Sequence, residues 1–172
     1  LDLCTGNCSL AILAAMTWPG AVVDAADISA PALTVAQKNL TRHGMSTRIE
    51  LFEGDGLLAI GSRAYDVILC NPPYVNAASM AALPAEFLAE PTLALAGGLD
   101  GMDFVRNLIA HAARHLKPRG VLVLEVGHEH EHFERAFGGL NPIWLETSGG
   151  DTGVLLCTRE DLLTFQTPRN AP

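Results

Sequence analysis

Apolar and polar positions along the chain alternate with two periods, one suited to strands and one to helices. "LDLC" (1–4) reads as a short strand that runs into a turn at Thr5, Gly6 and Asn7. "SLAILAAM" (9–16) is apolar enough for a partly buried helix, stopped by Pro19 and Gly20. "AVVDAADI" (21–28) is a second strand. Ser29 as N-cap, Pro31 in the first turn and Gly44 as C-terminal stop bound a helix with Leu33, Ala36 and Leu40 on one face. "TRIELFEG" (47–54) alternates like a strand, and "YDVILC" (65–70) is a continuous apolar one. After a long connection from 72 to 99, "GMDFVRNLIAHAARHL" carries Val105, Leu108, Ile109, Ala112 and Leu116 on one stripe, with "KPRG" as its stop. "VLVLEV" (121–126) is a fifth strand, followed by a polar helix from near His128. "PIWLET" and "GVLLCT", joined by "SGGD", read as a closing hairpin.

Strand and helix alternate five times, which predicts an α/β fold with a mostly parallel sheet and helices on both faces. The hairpin adds one antiparallel C-terminal strand. In such sheets ligands bind beyond the carboxyl ends of the strands, where strand order reverses. The 172 residues suit one domain, and 49% apolar with 17% charged residues is a globular composition. No apolar run reaches the roughly 18 residues of a membrane span, and the start lacks a signal peptide's basic region and cleavage site. A net charge of −8 with scattered Lys and Arg argues against long nucleic acid and suits a small molecule or a basic protein partner. Cysteines 4, 8, 70 and 157 form no CxxC pair, which points to reduced packing thiols and a cytoplasmic protein. Because the chain opens inside a strand, an N-terminal part is expected to be missing.

The strand ends carry the candidate chemistry. At the first, "DLCTGNCS" offers a glycine turn and the free N–H groups of a helix start. It does not fit GxGxxG, and an ordinary tight turn would look the same. At the second, Asp27 can accept both hydroxyls of an unphosphorylated ribose, or cap a helix. At the third, Asp55 can accept from an adenine amino group and the Gly56 N–H can reach the ring, though a turn aspartate is equally consistent. Together they describe a pocket for an adenosine-bearing molecule.

The fourth end, "NPPY", is the most specific. Asn71 carries an acceptor oxygen and a donor amide. Pro72 fixes the chain path, so its carbonyl can be aimed at the same point as the Asn71 oxygen. Two acceptors at one point suit a planar NH₂ group. Tyr74 supplies an aromatic face for that group, and for a cationic methyl donor.

These residues resemble class I S-adenosylmethionine-dependent methyltransferases that alkylate planar nitrogens. "LDLCTGN", "VDAADIS", "CNPPYV", "EPTLALAGGLDGMD", "LKPRGVLVLEVGHE" and "GGDTGVLLCTREDL" look like the protein-(glutamine) amide methyltransferases, over nearly the whole chain. The last segment resembles the branch acting on the third protein of the large ribosomal subunit. The resemblance implies a Rossmann-like seven-stranded sheet, S-adenosylmethionine as cofactor, and a ribosomal protein or release factor as substrate. It implies that Cys4, Thr5, Gly6, Asn7 and Cys8 hold the donor's carboxyl and amino end. Asp27 with Ile28 would take the ribose, and Asp55 with Gly56 the adenine. Asn71 would touch donor and substrate, and Asn71, Pro72, Pro73 and Tyr74 would clamp the glutamine, with Asn71, Pro72 and Tyr74 catalytic. Two departures stand out. Cys8 replaces a second glycine, costing about 1–2 kcal/mol if it must adopt positive φ. The family's N-terminal helical substrate-recognition domain is absent, so residues 1–172 read as the catalytic domain alone.

"HEHEH" (128–132) satisfies the metalloprotease pattern HExxH through His128, Glu129 and His132. It reads as a solvated, histidine-rich helix start standing away from "NPPY", with no metal expected. Two other functions fit part of the pattern: a nucleic-acid adenine methyltransferase, and an inactive donor-binding remnant.

Overall fold

The computed structural model describes residues 1–84, 89–147 and 153–166. The first half alternates β1 (Asp2–Leu3), α1 (Ser9–Thr17), β2 (Val23–Asp27), α2 (Ala30–His43), β3 (Ile49–Glu53) and β4 (Tyr65–Cys70). Short helices α3 (Ala77–Ala81) and α4 (Thr92–Leu95) lie in the long connection to α5 (Asp103–His111). There follow β5 (Leu116–Glu125), α6 (His130–Ala136), β6 (Ile143–Leu145), β7 (Val154–Thr158) and α7 (Arg159–Gln166).

The strands form one seven-stranded sheet ordered β3-β2-β1-β4-β5-β7-β6. Neighbours from β3 to β5 are parallel, and β7 runs antiparallel to both β5 and β6. The order reverses beside β1, so the ends of β1 and β4 flank the switch point where such sheets bind ligands.

Local signals behave as their chemistry dictates. Ser29 Oγ accepts from Ala32 N at 3.3 Å, and Gly44 ends α2 at φ 67° with its N–H on Leu40 and Thr41. Each face of the sheet has its own apolar cluster. Ile68, Leu108, Leu122, Leu124 and Leu162 belong to the larger, and Ala11, Ile12, Ala25, Ala36 and Leu40 to the smaller.

Three expectations change. "KPRG" does not simply stop a helix: it lies within β5, where Tyr65 pairs with Leu116 but Val67 already pairs with Val121. The extra residues bulge out, with Arg119 at φ 65°. The stripe ahead of them is helical only to His111 and tightens into a 3₁₀ turn at Ala112–His115. The chain past β7 forms α7, which the strand reading does not foresee; Thr158 Oγ1 caps it by accepting from Asp161 N (3.1 Å), and Asp161 Oδ2 reaches back to accept from Thr158 N (3.0 Å) and Oγ1 (2.6 Å). The β6–β7 pairing matches the expected hairpin, while its "SGGD" turn lies outside the described residues.

Candidate active site

The turn leaving β1 is tied down by two carboxylates. Asp2 is fully buried; its Oδ2 accepts from Thr5 Oγ1 (2.5 Å) and Ala11 N (3.0 Å), while its Oδ1 has no partner among the described residues. Burial pushes its carboxyl up to about 6, more than the Thr5 and Ala11 hydrogen bonds lower it. Asp27, at the end of β2, accepts from Gly6 N (2.8 Å) and Ser29 N (2.9 Å), one oxygen each. Two of its roughly four lone-pair positions remain for a ligand's hydroxyls. Asn7 Oδ1 accepts from the N and Oγ of Ser9, the first residue of α1, while the N-cap residue, Cys8, makes no side-chain capping bond.

The backbone here is strained as expected. Cys8 sits in the left-handed region at φ 71°, and Cys4 does so at φ 59°, which the sequence did not signal. Gly6, at φ 55°, has open space where a side chain would point. Cys8 is the exception among the predicted donor residues. Its thiol is fully buried in the smaller apolar cluster and does not line the cleft, so only its backbone shapes the turn. Burial raises this thiol to about 11, as befits a packing group. All four cysteines are free.

The other predicted residues share one cleft of about 1040 Å³. Cys4, Thr5, Gly6 and Asn7 line it from the first turn, and Asp27 and Ile28 from β2. Asp55 and Gly56 line it past β3; the Asp55 side chain does not cap its own 3₁₀ turn and is exposed. Asn71, Pro72, Pro73 and Tyr74 close the far side. Asn71 is exposed in the cleft and makes no side-chain hydrogen bond to the described residues, whereas Pro72 is buried behind it.

Several residues of this site were not anticipated. Tyr74 donates its hydroxyl to Glu125 Oε1 at 3.2 Å, and burial, reinforced by Glu125, pushes it up to about 12. A Cβ at Gly127 would meet the Tyr74 ring at 2.6 Å, so only glycine fits beneath it. Phe104 of α5 walls the Asp55–Gly56 side. "HEHEH" neither stands apart from "NPPY" nor is simply solvated. His128 lines the same cleft, its ring edge-on to Tyr74 with centroids 6.2 Å apart, and Glu129 is 1% exposed. His128 and His132 contact opposite oxygens of Glu129, and the described residues hold no cluster of three or more His, Cys, Asp or Glu suited to a metal ion. Strand order was the available signal: β5 neighbours β4 in parallel, so the segment after Glu125 must sit beside the segment after Cys70.

A family model described as the methyltransferase small domain matches residues 1–99. The chain belongs to that family. Among curated relatives of this methyltransferase domain, the ribosomal protein uL3 glutamine methyltransferase of Bordetella pertussis is 55% identical over 164 residues, covering 95% of this chain and 55% of that protein. The protein of the same name in Burkholderia pseudomallei is 52% identical, covering 94% and 55%, and that of Neisseria gonorrhoeae 48%, covering 95% and 54%. The chain thus spans about half the length of the curated relatives it matches. Among solved structures, a methyltransferase from Pyrococcus furiosus superposes with TM-score 0.65 at 17% identity, covering 92% of this chain and 73% of that one. The delta-N METTL16 MTase domain gives 0.57 at 20%, covering 90% and 69%. These likenesses agree with the class I methyltransferase sheet implied by the sequence resemblance.

Proposed function

We propose that this chain transfers a methyl group from S-adenosylmethionine to the side-chain amide nitrogen of a glutamine in ribosomal protein uL3. The observation that carries the reading is the Asn71 side chain, exposed and unpartnered among the described residues beside Tyr74, in the same cleft as Asp27 and Asp55. The names of its relatives support the choice of substrate.

The cleft fits the donor chemically. Open space over Gly6, the spare lone pairs of Asp27, the uncommitted Asp55 carboxylate and the Tyr74 face each answer one part of it. Cys4 to Asn7 would hold its amino-acid end, Asp27 and Ile28 the ribose, and Asp55 and Gly56 the adenine. When bound, S-adenosylmethionine supplies an electrophilic methyl on a sulfonium.

An amide nitrogen is a poor nucleophile because its lone pair is delocalised into the carbonyl. The Asn71 oxygen and the Pro72 carbonyl accept from the two N–H bonds, orient the nitrogen, and stabilise positive charge as it develops there. Holding both reactants in one cleft supplies much of the remaining rate gain. Pro73 and Tyr74 pack against the carboxamide.

Incubation of the chain with isotopically labelled donor, large-subunit ribosomal proteins, release factors, DNA and ribosomal RNA, followed by mass spectrometry, tests the reading. Label on a uL3 glutamine is expected. Label confined to a release factor, or to nucleic-acid adenine, overturns the choice of substrate.

A further inference from the structure

Glu129 is a carboxylate almost without solvent, at 1% exposure, in the turn after β5. Burial of a charge must be compensated, and here the compensation comes from the acceptor side of the cleft. Oε1 accepts from the Asn76 side-chain amide at 2.6 Å and from the Asn76 backbone N–H at 3.2 Å. His128 Nε2 lies 3.0 Å from the same oxygen, and His132 Nδ1 contacts Oε2. Asn76 stands two residues beyond Tyr74, and its own Oδ1 caps α3 by accepting from Ser79 N at 2.9 Å.

The corner is therefore pinned at both ends. On one side Cys70 belongs to β4 and pairs with Leu124; on the other Asn76 hangs on Glu129. Between them Val75 N–H donates to Leu95 O at 2.8 Å, and Gly97 N–H donates back to Val75 O at 2.9 Å. There is no slack behind: a Cβ at Gly101 would stand 2.2 Å from Tyr74 O and 3.2 Å from Glu129 Cγ. Glu129 itself does not line the cleft.

We propose that Glu129 is a positioning residue for methyl transfer: its carboxylate, acting through Asn76, fixes where the Asn71–Tyr74 corner presents its oxygens to the carboxamide. This rests on the reading that the corner receives a carboxamide. Displacing a reacting group by about 1 Å can cost about 100-fold in rate, so a remote carboxylate that sets the corner's position acts on turnover without touching a reactant.

The test compares the parent chain with Glu129→Ala, Glu129→Gln and the exchanged pair Glu129→Gln with Asn76→Asp, which restores a side-chain hydrogen bond in the opposite direction. Three readouts are taken: kcat and KM for uL3 methylation, donor Kd by calorimetry, and hydrogen exchange of the Val75 and Asn76 amides. Glu129→Ala is expected to lower kcat about 10- to 100-fold with donor Kd within about 3-fold of the parent. Exchange at Val75 and Asn76 should quicken while β4 and β5 keep their protection, and the exchanged pair should recover part of the lost kcat. Should Glu129→Ala not fold, Glu129→Gln takes its place, with a smaller loss in the same direction. Parent-like kcat with parent-like exchange overturns the proposal. So does a loss that tracks the folded fraction, with exchange quickened uniformly over the sheet. If the parent methylates no glutamine, the functional reading falls separately. Exchange at Val75 and Asn76 then decides only whether Glu129 fixes the corner: selective quickening shows that it does, and no change overturns the proposal.

Discussion

The turn after β1 and the corner after β4 both leave a parallel strand and present polar groups to one cleft, yet they are fastened differently. The turn is held from nearby in sequence: Asp2 reaches Thr5 and Ala11, three and nine residues on, and Asp27 reaches back 21 residues to Gly6. The corner is held from far away: Tyr74 bonds Glu125 across 51 residues, and Asn76 bonds Glu129 across 53. The turn also carries its strain within itself, in two cysteines at positive φ, whereas the corner has prolines at 72 and 73 and depends on packing from behind. A binding loop can thus be made stiff by local bonds or by borrowed ones. The borrowed kind couples its precision to the rest of the sheet.

Four substitutions sharpen that contrast. Asn71→Ala removes the corner's acceptor without touching the turn. It should cost roughly 2–4 kcal/mol of barrier, seen as a drop in kcat under saturating donor. Asp2→Asn addresses the turn's own fastening. The Asp2 carboxyl is raised from 3.8 to about 6, so its contribution to stability is complete below pH 3.8 and lost as pH rises through about 6. The unfolding free energy of the parent, relative to Asp2→Asn, should therefore fall by roughly 3 kcal/mol across that window, measured by urea titration at a series of pH values. Asp27→Ala leaves the Gly6 and Ser29 N–H groups without their acceptor. It should weaken donor binding by about 1–3 kcal/mol, read by calorimetry, with little effect on kcat at saturation. Tyr74→Phe keeps the ring face over Gly127 and loses only the hydroxyl on Glu125. About 1 kcal/mol of stability is the expected cost, with kcat changed less than by Asn71→Ala. A collapse of activity in Tyr74→Phe would make the hydroxyl, rather than the face, the working part.

The turns after β1 and β2 were readable because their determinants are local. A glycine after a short strand, an aspartate closing the next one and a serine N-cap all act within a few residues of themselves, and each lies where the alternation of strand and helix puts it. Cys8 was readable in backbone but not in side chain. A missing glycine signals positive φ, yet nothing in the sequence says that the thiol turns into the packing of α1 and α2. "HEHEH" misleads for a related reason. Its alternating charges look like a solvated helix start, and only the adjacency of β4 and β5 reveals that Glu129 is enclosed. The short helices α3 and α4 likewise escaped notice, because their few residues are stabilised by the Asn76 cap and the Val75–Ala96 bridge and not by any periodic stripe.

By itself, then, the sequence determined the order of elements, the mostly parallel sheet, the glycine turn after β1 and the proline corner after β4, since periodicity, caps and proline constraints operate over a handful of residues. Tertiary structure alone decided what stands behind that corner. Burial and the pairing of Glu125 and Glu129 with Tyr74 and Asn76 depend on which strands lie side by side, and that adjacency joins residues too distant in the chain for any local pattern to record.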